Sequence, residues 1–152
     1  MVDKRALRFT TLDEAIAEAE RLASGEHNTT GNFTFAQILN HLSTTFDVAV
    51  GRKKIPPVPL YMRVIARVFR PFVLQFPMRP GFKLPDNSQA LFWSTDELSL
   101  EKELAYFREA AHRLVAAESL PKHPVFGRMS RKQHLKLQCR HCELHLGFVH
   151  PA

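Results

Sequence analysis

The chain has few cysteines, no long apolar run and no repeated or low-complexity segment. Its two cysteines, Cys139 and Cys142, lie three residues apart on a predicted helix, which is poor geometry for a structural disulfide. No run approaches the roughly 18 apolar residues of a membrane span, and the first residues lack the apolar core of a secretion signal. We therefore expect reduced thiols, no membrane span and a cytoplasmic location.

The composition is that of an ordinary soluble domain. The chain has 152 residues, of which 45% are hydrophobic, so we expect one domain over residues 1–152 with a full core. The formal net charge of +6 permits contact with nucleic acid or an anionic membrane and could attract anionic substrates. Because no recognition helix or aromatic platform for bases is visible, we expect no specific nucleic-acid partner.

Four capping boxes indicate where the long helices begin. In this pattern Ser or Thr is followed three residues later by Glu or Gln, and the two side chains bond backbone amides that the helix leaves free. The boxes are Thr11–Glu14, Thr34–Gln37, Ser94–Glu97 and Ser130–Gln133. Each opens a segment with apolar residues at helical spacing, and Gly25 and Gly51 end the first two. The sequence therefore predicts an all-α fold, a four-helix bundle.

The connection between the second and third predicted helices is long and rich in proline. It runs from Ile55 to Trp93, and Leu60–Arg70 within it has helical spacing and is followed by Pro71. We predict a short extra helix there, ended by the proline. Three arginines share one face of this segment: Arg63, Arg67 and Arg70. A membrane-surface helix is one interpretation, and an amphipathic helix that covers the bundle is the one we favour.

The predicted last helix carries a polar face where a core helix would place Leu, Ile or Val. Its inward positions at heptad spacing are His134, Gln138, His141 and His145. They step by four, three and four residues, so they share one face of the helix. His141 and His145 are one turn apart, the spacing at which two imidazoles bind one metal ion.

His41, in the second predicted helix, is the candidate third ligand. Packing of this helix against the last would bring three imidazoles together, and three neutral nitrogen ligands leave a position open for water or substrate. Imidazole suits Zn, Ni, Fe or Cu, and the spacing does not choose among them. The alternative is that these histidines simply lie on partly exposed helix faces without a metal.

Four further residues are candidates for the surroundings of the metal. Gln37 and Gln138 lie on the same faces as the ligands and could support them. His134 could line the pocket or shuttle a proton, and an exposed histidine near the helix start is an equal alternative. Glu143 points to a different face, and we interpret it as a solvated carboxylate, or one that supports a ligand, rather than a catalytic one.

The two cysteines and the aromatic residues of the long connection have simpler interpretations. Cys139-Arg-His-Cys142 lies in mid-helix, so we interpret both cysteines as small buried apolar residues rather than a zinc or redox motif. Four aromatic residues of the long connection Ile55–Trp93, which we call the crossover, could shape a substrate pocket, but we interpret them as core anchors: Phe76, Phe82, Phe92 and Trp93.

Two blocks of the sequence resemble the DinB-like (DinB/YfiT) superfamily of four-helix-bundle metalloenzymes. The segment Gly31–Leu42 resembles its first metal-binding helix, and the segment His123–Leu146 resembles its last. The Phe-Gly pair before the last helix resembles the lead-in to that helix in a bacterial branch of the superfamily, which is known only as a domain of unknown function. The resemblance extends from residue 8 to residue 148, and it implies one divalent metal held by His41, His141 and His145. Some members use a low-molecular-weight thiol in transferase or isomerase reactions.

Together these observations predict a divalent-metal-dependent enzyme that acts on a small molecule, with Zn, Ni or Fe at its site. The ion would lower the pKa of a bound water or thiol, which suits either hydrolysis or thiol-dependent transfer. Catalytic residues stay unassigned. Two alternatives remain open: a non-catalytic binding or oligomerising bundle with structural histidines, and a basic protein associated with nucleic acid. A homodimer is compatible with each.

Overall fold

The computed structural model describes residues 2–152, which fold mainly as helices. In chain order the elements of this part are α1 (Leu12–Ala23), β1 (His27–Thr29), α2 (Phe35–Ala49), α3 (Leu60–Gln75), α4 (Asp86–Phe92), α5 (Leu100–Ala116), α6 (Arg131–Leu146) and β2 (Val149–Pro151). The predicted all-α class is confirmed. The short helix α4 and the two-stranded sheet were not predicted.

Three of the four predicted helix starts are correct. Thr34 and Ser130 form complete capping boxes at the starts of α2 and α6. At α1 the Thr11 hydroxyl accepts from the amide of Glu14, while the Glu14 carboxylate accepts from the amide of Thr10 instead of Thr11. These caps bond amides that have no partner inside the helix, and each contributes about 1 kcal/mol.

The fourth predicted start, Ser94–Glu97, is wrong. The helix α5 begins after Ser99, whose hydroxyl accepts from the amide of Lys102. The hydroxyl of Ser94 instead accepts from the amide of Asp96, two residues on. A side chain that bonds the backbone at this spacing favours a turn over a helix, so residues 94–99 stay irregular.

The helix in the crossover was predicted, but its end at Arg70 is wrong, because α3 continues through Pro71 to Gln75. Proline removes one helical hydrogen bond. Pro71 is exposed, so water can satisfy the carbonyl of Arg67 that loses its partner. Beyond the proline, Leu74 is buried in a small cluster with Met129 and Leu137, which holds the last turn of α3 in place.

The main core lies between α1, α2, α5 and α6. Each helix contributes fully buried apolar side chains, among them Leu22, Leu39, Phe107 and Leu146. Burial of a side chain of this size contributes roughly 1.5–3 kcal/mol. The helix α3 packs against α6 outside this core, and α4 packs against α2. This arrangement places α2 beside α6, which is what the site requires.

The small sheet fixes the end of α6. The strands β1 and β2 are antiparallel, with Asn28 opposite His150. The backbone amide of Arg5 donates to the carbonyl of Gly147 at 2.8 Å, and the Arg5 side chain binds the carbonyl of Val149. The residues that follow α6 are thus held against the segment between α1 and α2.

The aromatic residues of the crossover do not behave alike. Phe92 is buried and Trp93 is half-buried, so their interpretation as anchors agrees with the structure. For Phe76 and Phe82 it is wrong, because both side chains are exposed. They lie after α3, where the chain runs over the outside of the helices instead of entering the core.

In the described part of the chain, residues 2–152, no helix combines the length and apolarity needed to cross a membrane.

Candidate metal centre

Three histidines from two helices meet between α2 and α6. One ring nitrogen each of His41, His141 and His145 lies within 4.8 Å of the other two. The ring centroids are 4.9 Å apart for His41 and His141, and 4.5 Å apart for His41 and His145. His141 and His145, one turn apart on α6, have centroids separated by 4.6 Å. This group could hold a metal ion.

A hydrogen bond determines the tautomer of His41. Its Nδ1 lies 3.1 Å from the carbonyl oxygen of Phe92, and since a carbonyl only accepts, Nδ1 carries the proton and donates it. The lone pair is then on Nε2, which lies 3.1 Å from Nε2 of His141. Metal-bound histidines commonly donate their other ring N–H to a carbonyl in this way.

The separations fit a shared ion. Two nitrogens bound to one tetrahedral zinc at 2.0–2.1 Å are about 3.3 Å apart. The 3.1 Å between the Nε2 atoms of His41 and His141 is close to this value. Without an ion between them, two lone pairs at this distance would repel each other unless one ring carried a proton there. The geometry of the histidines therefore fits a divalent ion, and a nitrogen-only donor set suits several first-row metals.

Burial keeps these imidazoles neutral. It lowers the pKa of His141 to about 4. Burial, together with His141, also holds the pKa of His41 and of His145 well below the usual range for histidine. At pH 7 the three rings therefore carry lone pairs and no competing proton, the form that binds a metal. His41 is only 7% exposed, whereas His141 and His145 are half-buried and form the accessible side of the group.

Aromatic side chains cover the His41 side of the histidine group. The indole of Trp93 stacks on the His41 ring, with centroids 3.9 Å apart, and its centroid lies 5.4 Å from that of His145, with the two ring planes inclined by 65°. Phe33 stacks on the outer face of Trp93 at 3.7 Å. The sequence analysis did not predict that Trp93 positions a candidate ligand. The one feature of the sequence that could have indicated this role is the aromatic pair Phe92-Trp93 at the end of the crossover.

The four other polar candidates have different surroundings. Gln37 completes the cap of α2 and donates to the carbonyl of Ser94 at 3.0 Å. Gln138 is buried, and its oxygen accepts from the hydroxyl of Thr45 at 3.4 Å. Within residues 2–152 neither amide hydrogen-bonds to a candidate ligand.

His134 is completely buried, so the alternative of an exposed histidine is wrong. Neither of its ring nitrogens has a hydrogen-bond partner among the described residues. Burial lowers its pKa, and its ring centroid is 6.1 Å from that of His123. The loop before α6 covers this position, and the local pattern of the helix carries no sign of that cover.

Glu143 is buried, so the interpretation of a solvated carboxylate is wrong. One of its oxygens accepts from the amide of Phe9 at 2.6 Å and from Arg140 at 2.9 Å. Burial raises its pKa, and the bond to Phe9 acts in the opposite direction. It joins the segment before α1 to α6 and does not belong to the histidine group.

Both cysteines are free and buried in the main core, as predicted. Burial raises the pKa of Cys139 to about 12, and it raises that of Cys142 well above the usual range. The thiols are therefore protonated at pH 7, and thiolate is the form that binds metals. They do not extend the set of ligands.

Comparison with known proteins gives one assignment. No curated protein and no solved structure shows significant similarity to the chain. A family of proteins of unknown function, DUF1569, matches it over residues 1–152. Since the match covers the whole sequence, the chain belongs to the DUF1569 family.

Proposed function

We propose that this protein is a divalent-metal-dependent enzyme whose ion is bound by His41, His141 and His145. One observation carries the proposal: three imidazoles from α2 and α6 place ring nitrogens within 4.8 Å of one another. Their lowered pKa values support it, because neutral imidazoles bind metals. Zn, Ni or Fe suits such a donor set.

The fold we propose is the DinB-like four-helix bundle, formed by α1, α2, α5 and α6 as one domain over residues 1–152. It is supported by the main core, to which these four helices contribute. The helices α3 and α4 then belong to the crossover between the second and third helices of the bundle. The position of the three histidines on the second and last of these helices agrees with that superfamily's metal site.

The donor set favours a catalytic site over a structural one. Structural zinc sites are closed by four protein ligands, whereas catalytic sites use three and keep a position for water or substrate. The two cysteines are protonated and lie in the core, so they do not supply a fourth ligand. The half-buried His141 and His145 leave that side of the group accessible to a small molecule.

The chain's own residues orient and shelter the site. The carbonyl of Phe92 fixes His41 in the tautomer that directs Nε2 towards His141. Trp93 covers one face of the His41 ring and excludes water there, and Phe33 in turn stacks on Trp93. When bound, a divalent ion would supply a Lewis acid that lowers the pKa of a water or thiol ligand. A low-molecular-weight thiol as second substrate, in a transfer reaction on a small molecule, is the form of the reaction we propose.

Metal analysis of protein purified without a His-tag or added metal tests the site. We expect near-stoichiometric Zn, Ni or Fe in the wild type and none in His41→Ala or His145→Ala. His112→Ala is the matched control, because His112 is an exposed histidine on α5, and it should retain the metal. A wild type that stays metal-free after incubation with these ions would contradict the proposal. It would leave a non-catalytic bundle with a polar histidine cluster.

Cobalt substitution tests the open position and the thiol. We expect the Co²⁺ protein to gain a sulfur-to-cobalt charge-transfer band when a small thiol is added, and His112→Ala to behave in the same way. A Co²⁺ protein whose spectrum does not respond to thiols would argue against thiol transfer and direct the search to amide or ester hydrolysis. A spectrum that also stays unchanged when other small ligands are added would indicate a closed, structural site.

A further inference from the structure

The helix α3 buries one side and leaves the other uncovered. Its buried residues are Ala66 and Leu74. The opposite side carries large exposed apolar side chains, which we call the α3 apolar face: Leu60, Tyr61, Val64, Ile65, Val68, Phe69 and Phe72. Leu60, Val68 and Phe72 are 71%, 66% and 60% exposed. Scattered exposed apolar residues are ordinary, but a contiguous apolar patch marks an interaction site.

Spacing makes this face continuous. Leu60, Val64, Val68 and Phe72 follow one another at four-residue intervals, so they form one ridge along the helix. Tyr61, Ile65 and Phe69 form a second ridge beside it at the same interval. Phe76, just after the helix, extends the patch, since it is exposed and its ring stacks on that of Phe72 with centroids 6.1 Å apart.

The charges of the segment that contains this face have one sign. Residues 48–85 contain eight lysines and arginines and no aspartate or glutamate. The rest of the chain holds 13 basic and 15 acidic residues, so the excess of positive charge in the protein comes from this segment. The protein is therefore electrically asymmetric, and the segment around α3 is its cationic side.

Most of these cations have no acidic partner within the protein. Of the eight basic residues, Arg52 forms an ion pair within residues 2–152, with Asp47 at 3.7 Å. Arg70 donates to the carbonyls of Phe126 and Arg128. The others pair with no carboxylate in the described part of the chain, and they are Lys53, Lys54, Arg63, Arg67, Arg79 and Lys83.

A cationic cavity adjoins the apolar face. It has a volume of about 230 Å³, and its lining includes Arg63, Arg67 and Lys122 and no acidic residue. Arg67 follows Val64 by three residues, so it lies beside the edge of that face, whereas Arg63 lies further round the helix, towards its buried side. Arg67 can lie against the backbone because Gly127 has no side chain, since a Cβ there would be 2.7 Å from Nε of Arg67.

We propose that α3 binds the surface of an anionic phospholipid membrane. The apolar face enters the boundary between headgroups and acyl chains, and the surrounding cations bind headgroup phosphates. Arg63, Arg67 and Lys122 receive one such phosphate in the cavity. A second copy of the chain suits this face less well, because a symmetric contact would bring two cationic segments together without carboxylates to offset them.

Vesicle sedimentation tests the proposal with the full-length protein. We expect it to sediment with vesicles of phosphatidylcholine and phosphatidylglycerol, to bind less as salt rises, and to stay in solution with phosphatidylcholine alone. Val68→Asp should weaken partitioning at least tenfold. Val115→Asp is the matched control, because Val115 is an exposed apolar residue on α5, and it should partition like the wild type.

A second pair of variants tests the cations. Arg63→Gln with Arg67→Gln should weaken binding to anionic vesicles more than Lys132→Gln with Lys136→Gln, which removes two exposed charges from α6. Circular dichroism checks that each variant is folded. His145→Ala should keep wild-type vesicle binding, so this result is independent of the metal proposal.

Three outcomes would overturn the membrane proposal. The first is equal binding to neutral and anionic vesicles, and the second is no binding to either. The third is a wild type that does not bind vesicles but forms a dimer, seen by light scattering after gel filtration, which Val68→Asp dissociates. That last result would assign the α3 apolar face to a second copy of the chain.

Discussion

The imidazole of His41 and the indole of Trp93 lie face to face, with ring centroids 3.9 Å apart and planes inclined by 6°. The neighbouring carbonyl of Phe92 accepts from Nδ1 of the same imidazole. The stack fixes the plane of the ring, and the hydrogen bond fixes its rotation within that plane. The end of the crossover therefore orients a candidate metal ligand on α2.

Removal of the indole should weaken metal binding without abolishing it. In Trp93→Leu the hydrogen bond to Phe92 remains, but the His41 ring loses the surface that holds its plane. Loss of a group that orients a ligand reduces metal affinity by about 10–100-fold. Competition with a chromophoric chelator measures this change. Phe82→Leu, at an exposed aromatic residue of the crossover, should bind metal like the wild type, and equal affinity in both variants would contradict the prediction.

Acid should destabilise the metal-free protein through its buried histidines. Burial lowers the pKa of His141 to about 4 and, together with the neighbouring His134 and His141, that of His123 to about 3. In the unfolded chain these rings titrate near pH 6.5, so below that pH the unfolded state binds protons that the folded state does not. The stability that these neutral histidines contribute is fully present above about pH 6.5. It is lost as the pH falls towards their pKa values in the folded protein. For His141 alone the loss is roughly 3 kcal/mol.

Urea unfolding in the presence of a chelator, from about pH 7 to pH 4, measures this dependence. His123→Asn is the informative variant, because the amide oxygen can still accept from the backbone amides of Val125 and Phe126, as the His123 Nδ1 does. It should lower the number of protons taken up on unfolding by about one. A free energy of unfolding that does not change over this range would contradict the prediction.

Local sequence patterns were sufficient for most helices. The caps at Thr34 and Ser130 involve residues three positions apart, so the pattern contains the whole interaction. The start at Ser94 failed because Ser99 offered a second cap and Ser94 bonds Asp96 in a turn. The small sheet could not be predicted, since each strand has three residues and pairs with a segment more than 100 residues away.

The site was only partly predictable. His41, His141 and His145 stand out because they interrupt apolar faces at helical spacing, and helix packing then brings them together. The stack of Trp93 on His41 depends on the path of an irregular segment. Burial of Glu143 depends on the N-terminal segment, which carries no periodic pattern.

The buried pair of Arg140 and Glu143 should make Arg140→Met strongly destabilising. Both side chains are almost fully buried, with N and O atoms 2.9 Å apart. Removal of Arg140 leaves the buried carboxylate with one long ion pair, 3.9 Å to the exposed Arg8, and breaking a buried pair costs roughly 3–5 kcal/mol. Urea unfolding at neutral pH measures the loss. The double variant Arg140→Met with Glu143→Leu should recover part of it, because it leaves no buried charge, while the Phe9 amide loses its acceptor.

A surface pair provides the control for this experiment. Arg108 and Glu20 also form an ion pair, at 2.6 Å, but both are 43% exposed. Arg108→Met should therefore cost less than about 1 kcal/mol. If Arg140→Met costs no more than Arg108→Met, the pair at Arg140 is not buried in solution.

The native thiols should be unreactive. Cys139 and Cys142 are buried, and the pKa of Cys139 is raised to about 12, so almost no thiolate forms at about pH 8. We expect a thiol-specific chromogenic disulfide to label neither cysteine in the folded protein and both after unfolding. Ser24→Cys, at an exposed position after α1, should be labelled at once. Rapid labelling of the folded wild type would contradict the prediction. If the thiols are inert, any thiol used by the proposed transferase must come from a separate small molecule.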